Sequence, residues 1–131
     1  MKSSLTLVLI GMFLFGATAY GHHSLSATYD QEREITLEGR LVRFMFRNPH
    51  AFVHVEASDE DGNLQRWAVE WGGATQLSGQ GITRRTFKVG DEVIVTGNPS
   101  RTSTDYRVKM NTLFRTSDGF GWGTRPEEVV D

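Results

Sequence analysis

Apolar and polar residues alternate in five stretches of the chain, and this period of two predicts five β-strands with one buried face each. The predicted strands cover residues 35–46, 51–57, 64–71, 93–96 and 106–114. In the first of them, Gly39 and a phase shift at Leu41 and Val42 indicate a bulge or a sharp bend. Asp61-Gly62 predicts a hairpin turn between the second and third strands.

Residues 74–87 lack this alternation and predict two short helices, the second of which begins at Thr83 as its N-cap. Three strands, a helical segment and two further strands predict an all-β fold, a small five-stranded OB-like barrel with the short helical segment between the third and fourth strands. A first strand bent at a glycine can belong to both halves of such a barrel. The alternatives are an SH3-like barrel and a sandwich. The predicted domain occupies residues 34–115, between an extended N-terminal arm (22–33) and a flexible tail (116–131).

The pattern of residues 1–21 predicts a signal peptide. Lys2 precedes an apolar run over residues 5–15, which is shorter than the about 20 residues that span a bilayer. Small residues at alternate positions predict cleavage before either Tyr20 or His22. We therefore expect a periplasmic or secreted protein with no membrane span after cleavage, and the alternative is an uncleaved anchor.

Charge and composition exclude several functions. The chain carries 14 basic and 16 acidic residues, and all but one of them (Lys2) follow the predicted signal peptide. Nucleic-acid-binding proteins normally carry an excess of basic residues, whereas this chain has an acidic excess, so we expect no nucleic-acid partner. There is no cysteine, which excludes disulfides, thiol catalysis and cysteine metal sites. The chain also lacks a Gly-x-Ser-x-Gly nucleophile motif. These features favour a binding protein over an enzyme, and a metal-dependent enzyme with Glu70 as general base is the less supported alternative.

The four histidines suggest a metal site. His22 and His23 lie at the predicted processing site, whereas His50 and His54 are four residues apart, about 13 Å along a strand, too far to bind one ion together. The amine and imidazole of an N-terminal His22 can chelate one ion, and His50 would add a third nitrogen in a T-shaped set that suits Cu(II). Cleavage before Tyr20 places His22 third from the amine, which also binds Cu(II) or Ni(II). The predicted ligands are therefore His22, His23 and His50, with copper as the predicted cofactor. In the alternative interpretation these histidines are ordinary solvated or hydrogen-bonded residues.

A second hypothesis is a metal-free interaction module that binds an exported protein partner or a small ligand. Its predicted ligand face consists of Phe52, His54, Trp67, Glu70 and Trp71. Aromatic residues in such a small barrel are more often core than surface, so the tryptophans are expected to be buried. Strand alternation favours an exposed Glu70 beside a buried tryptophan.

Four motifs occur in a fixed order along the chain: His22-His23-Ser24, Asn48-Pro49-His50-Ala51, Trp67-x-x-Glu70 and Gly90-Asp91-Glu92-Val93. Together with the signal peptide, they resemble a family of short exported bacterial proteins of unknown function, over residues 22–115. The resemblance implies no activity, and its motif positions are His22, His23, His50, Trp67 and Glu70. A small residue before the two histidines, here Gly21, favours cleavage before His22. The sequence departs from the family pattern at residues 72–81 and 120–123, so the resemblance does not extend to a shared partner surface.

Overall fold

The computed structural model describes residues 25–123, so the predicted signal peptide, His22, His23 and the last eight residues lie outside the described residues. In chain order the elements are β1 (Ile35–Met45), β2 (Phe52–Ser58), β3 (Leu64–Glu70), α1 (Ala74–Gly79), β4 (Glu92–Pro99), a 3₁₀ turn (Ser103–Asp105), β5 (Arg107–Arg115) and β6 (Gly121–Trp122). Within the described range, no helix has both the length and the apolar character needed to cross a membrane.

Five of these strands form a closed barrel. The hydrogen-bonded order is β3-β2-β1-β4-β5, and a parallel pairing between β3 and β5 closes the ring. The other neighbours in the ring pair in antiparallel fashion. Helix α1 lies between β3 and β4 in the chain. The structure thus confirms the predicted OB-like barrel with a short helical segment between the third and fourth strands.

Strand β1 belongs to both halves of the barrel, as its glycine predicts. Residues 35–40 pair with β4 and residues 39–45 pair with β2, so the two pairings overlap near Gly39. A Cβ atom at Gly39 would lie 2.0 Å from the carbonyl oxygen of Glu56, because the backbones of β1 and β2 approach closely there. The register shifts between Leu41 and Arg43, which leaves Val42 as a bulge.

The core fills the barrel and one of its ends. Small and branched side chains from all five strands point inward, and the indole of Trp71 is only 1% exposed. This indole packs against Phe44, Phe87 and Trp122, with ring centroids 6.2, 5.9 and 5.1 Å away. Trp122 reaches it because β6 pairs with the end of β5, and its indole N–H donates to Gln80 Oε1 at 2.8 Å. The segment after β5 therefore closes this end of the barrel.

Four local predictions were wrong. The segment after Thr83 forms a turn instead of a second helix, because the hydroxyls of Thr83 and Thr86 accept the backbone N–H groups of Arg85 and Thr83. Residues 25–28 of the arm form a helical turn instead of an extended chain.

Strand β4 continues through Pro99, beyond its predicted end at Thr96. In addition, residues 121–122 of the predicted flexible tail form β6, since the barrel end receives the Trp122 side chain.

We expect Gly39→Ala to lower the free energy of unfolding by at least about 2 kcal/mol, because the new Cβ overlaps backbone of β2 that cannot move independently. Gly79→Ala is the matched control, since Gly79 ends α1 with no atom within 4 Å of an added Cβ. It should change stability by less than about 1 kcal/mol and in the favourable direction. Urea unfolding followed by tryptophan fluorescence measures both; equal stabilities for the two variants would contradict the close approach at Gly39.

Candidate functional site

The carboxylate of Glu70 is buried on the outside of the barrel. In the strand register Glu70 lies beside Phe52 of β2 and Lys109 of β5, on the side opposite to the inward-facing Val69 and Trp71. Alternation therefore predicts its side of the strand correctly. The predicted exposure is wrong, since Glu70 is only 5% exposed. Side chains from other segments cover it.

The N-terminal arm provides part of this cover. After the helical turn at residues 25–28, the backbone of Asp30 donates to Pro99 and that of Arg101 donates to Thr28, at 2.9 and 3.0 Å. These bonds hold the arm beside the end of β4, with an isolated bridge between Tyr29 and Ser100. The Tyr29 side chain is consequently 2% exposed and reaches the outer side of β3.

Tyr29, Glu70 and Arg107 form a closed set of hydrogen bonds. The Tyr29 hydroxyl donates to Glu70 Oε2, and Arg107 Nη2 donates to the same oxygen at 2.7 Å. Arg107 Nε also donates to the Tyr29 hydroxyl oxygen at 2.7 Å. A buried carboxylate is tolerated when its charge is paired and its lone pairs are satisfied, and here both conditions hold for Oε2.

The second carboxylate oxygen faces His50. Oε1 of Glu70 lies 2.9 Å from Nδ1 of His50, an ion-pair distance without the alignment of a hydrogen bond. Nδ1 is buried, but 43% of the His50 side chain is exposed, so the exposed area belongs to the remainder of the side chain, which includes Nε2. Backbone bonds between Ala51 and residues 71 and 72, each 2.9 Å long, hold His50 beside the end of β3.

The surroundings of Glu70 determine its protonation. Burial raises the pKa of this carboxyl. Hydrogen bonds from Tyr29 and Arg107 and the charge of Lys109 together lower the pKa by more than burial raises it, so the net pKa lies below its usual value. Burial, followed by the hydrogen bond to Glu70, raises the pKa of Tyr29, so the phenol stays protonated as a donor. Burial lowers the pKa of Lys109, although the nearby Glu70 opposes this effect.

The predicted ligand face is divided between the two sides of the barrel wall. Phe52, His54 and Glu70 lie on the outside, whereas Trp67 and Trp71 point into the core, at 8% and 1% exposure. The indole N–H of Trp67 donates to the carbonyl of Ala57 at 3.1 Å. The five residues therefore do not form one continuous surface.

Three residues around Glu70 were not predicted from the sequence. Tyr29 and Arg107 form hydrogen bonds with Glu70, and Lys109 lies beside it in the strand register. An isolated aromatic residue in the polar arm, Tyr29, was the one available signal for a packed arm. Nothing in the pattern around residues 107–109 indicates that they lie beside Glu70, because their contact depends on the parallel closure of the barrel.

The described residues contain part of a metal site at most. Between residues 25 and 123 there is no group of three or more histidine, aspartate or glutamate residues able to hold a metal ion. His50 offers one ring nitrogen, Nε2, besides the buried Nδ1. Further ligands would have to come from residues outside this range, as His22 and His23 are.

The fold and this cluster define a small OB-like β-barrel domain with a buried carboxylate on its outer wall. The sequence matches the family model of a family of unknown function (DUF6152) over residues 11–108, which is most of the chain. The chain belongs to this family. No curated protein and no solved structure matches the sequence.

We expect Glu70→Gln to destabilise the fold by about 2 kcal/mol or more at pH 7, because it removes the charge that pairs with the Arg107 guanidinium. The folded pKa of Glu70 is lowered, so its stabilising effect is present above the unfolded pKa of about 4.3 and is lost as pH falls through the folded value. The stability difference between the two proteins should therefore shrink at acid pH. Urea unfolding at pH 7, 5 and 3 measures this; a constant difference would show that the charge is unimportant.

Proposed function

We propose that this domain binds Cu(II) outside the cytoplasm, with Nε2 of His50 as one ligand and with His22 and His23 supplying the others. The supporting observation is the 2.9 Å contact between Nδ1 of His50 and the buried carboxylate of Glu70. Histidines that bind metals commonly direct their other ring nitrogen at a carboxylate, which sets the ring orientation and raises the basicity of the ligand.

The chemistry of the donors favours copper. A proton on Nδ1, facing Glu70, leaves the lone pair on Nε2 of the His50 ring. The proposed ligands are imidazole nitrogens and the amine of the processed N-terminus, and a set of three nitrogens suits Cu(II). An α-amine has a pKa of about 8, so Cu(II) can displace its proton near neutral pH.

The length of the arm is compatible with this site. His23 precedes Tyr29 by six residues, of which residues 25–28 form the helical turn. At about 1.5 Å per helical residue and 3.5 Å per extended residue, the chain length limits the separation of positions 23 and 29 to about 13 Å. The Tyr29 hydroxyl binds the same carboxylate that contacts His50. A short arm fixed at this point supports a site shared between the N-terminus and the barrel.

The proposal includes export and processing. Cleavage before His22 would give the amine and imidazole of one residue as two ligands, and His50 would be the third. Cleavage before Tyr20 would place His22 third from the amine, where it binds Cu(II) through deprotonated backbone amides without help from the barrel. The two products differ in their need for His50, and the proposed function is that of a copper-binding or copper-sequestering module.

The test compares Cu(II) affinity among variants of the processed protein, by calorimetry with glycine as competitor. We expect His50→Ala to weaken binding at least about tenfold, because one of three nitrogens is lost. His22→Ala combined with His23→Ala should weaken it further. His54→Ala is the matched control, since His54 lies on the outer face of β2 opposite Ala68 and not opposite Glu70, and it should leave the affinity unchanged.

A native mass spectrum of the same preparations gives the N-terminus and any bound metal together. Unchanged affinity in His50→Ala, with loss in the variant lacking His22 and His23, would assign copper to the terminus alone and remove the barrel from the site. Unchanged affinity in all variants would contradict the proposed function altogether.

A further inference from the structure

One outer face of this acidic chain is basic. In the strand register, Arg43 of β1, His54 of β2, Ala68 of β3 and Arg107 of β5 lie in one row across the sheet. The next row contains Met45, Phe52, Glu70 and Lys109. Arg47 extends over the same region, with its guanidinium 5.5 Å from the centre of the Phe52 ring. We name this surface the basic face and define it by Arg43, Arg47, Phe52, His54, Arg107 and Lys109.

The cations of the basic face are only partly neutralised. Glu70 is the carboxylate within these two rows, and it is buried beneath Tyr29 and paired with Arg107. The exposed side chains of Arg43 and Arg47 have no ion-pair partner among residues 25–123. Their charges, with that of Arg66 at the edge of the face, also reach His54: burial first, and then these three guanidiniums, lower the pKa of this imidazole.

The shape and chemistry of the basic face indicate what it binds. From Arg43 to Arg107 the row crosses three of the five inter-strand spacings of the closed barrel, about 14 Å measured along its curved wall. Guanidinium groups bind carboxylates through two parallel hydrogen bonds. The Phe52 ring is in contact with the guanidiniums of both Arg47 and Arg107, and Trp67 and Trp71 point inward. Phe52, the phenyl ring of this face, is therefore already in contact with two guanidiniums, and this disfavours single-stranded nucleic acid, which binds by stacking on aromatic side chains.

We propose that the basic face docks a segment rich in aspartate and glutamate on a partner protein. Charge complementarity is the basis of this proposal: a chain of net charge −2 concentrates four cations against one covered carboxylate on this surface. The proposal does not depend on copper binding. It would place the partner beside His50, since Glu70 separates His50 from Arg107.

The test uses the processed full chain and a fluorescein-labelled hexaglutamate peptide, with EDTA present so that metal binding has no influence. Fluorescence anisotropy should show binding that weakens about tenfold between 20 and 200 mM salt, as screening predicts. Arg43→Gln combined with Arg47→Gln should weaken binding at least about fivefold. The matched control is Arg85→Gln with Lys88→Gln, two exposed cations in the loop before β4, which changes net charge equally and should alter affinity by less than about twofold.

A second readout is the NMR titration of His54, which faces Arg43 of β1, Arg66 of β3 and Arg47, with Glu56 next on its own strand face. Bound carboxylates should raise the pKa of His54, and so should loss of Arg43 and Arg47.

Absence of peptide binding at 20 mM salt would overturn the proposal, as would equal losses of affinity in the control variant. Tighter binding of hexathymidylate than of hexaglutamate would overturn it in favour of nucleic acid. None of these outcomes depends on the copper affinity of His50.

Discussion

The carboxylate of Glu70 is removed from water on the outer wall of the barrel, and three separate parts of the chain meet at it. Tyr29 comes from the N-terminal arm, His50 from the loop before β2 and Arg107 from the start of β5. A buried carboxylate is costly unless its charge and lone pairs are satisfied, so these partners stabilise the structure only as a set. The Tyr29 side chain of the arm and the His50 ring both contact this one carboxylate, in addition to the backbone hydrogen bonds that hold their segments in place.

Two adjacent residues at the end of β3 connect the barrel to its flanking segments. Glu70 points outward and binds Tyr29 of the arm, whereas Trp71 points inward and packs against Trp122 of the segment after β5. The parallel pairing of β3 with β5 makes the first contact possible, because it places Arg107 and Lys109 beside Ala68 and Glu70. The polar cluster therefore requires the closed barrel.

The two proposed functions use different sides of the same cluster. Nδ1 of His50 lies beside the covered carboxylate, and the proposed copper site uses the other ring nitrogen, Nε2. Arg107 binds Glu70 and also lies against Phe52, at the margin of the basic face. A partner held on that face would lie close to the proposed copper ligand.

The sequence by itself determined the five barrel strands, their order along the chain and the bend at Gly39, because a period of two and a glycine in a strand are local properties of the chain. It also determined that His50 precedes a strand and that Glu70 faces away from Trp71. Only the tertiary structure decided that Glu70 is buried, since alternation specifies a side of the strand and the covering residue, Tyr29, lies 41 positions away. The same holds for Trp122, whose place is decided by an open barrel end that no local pattern reveals.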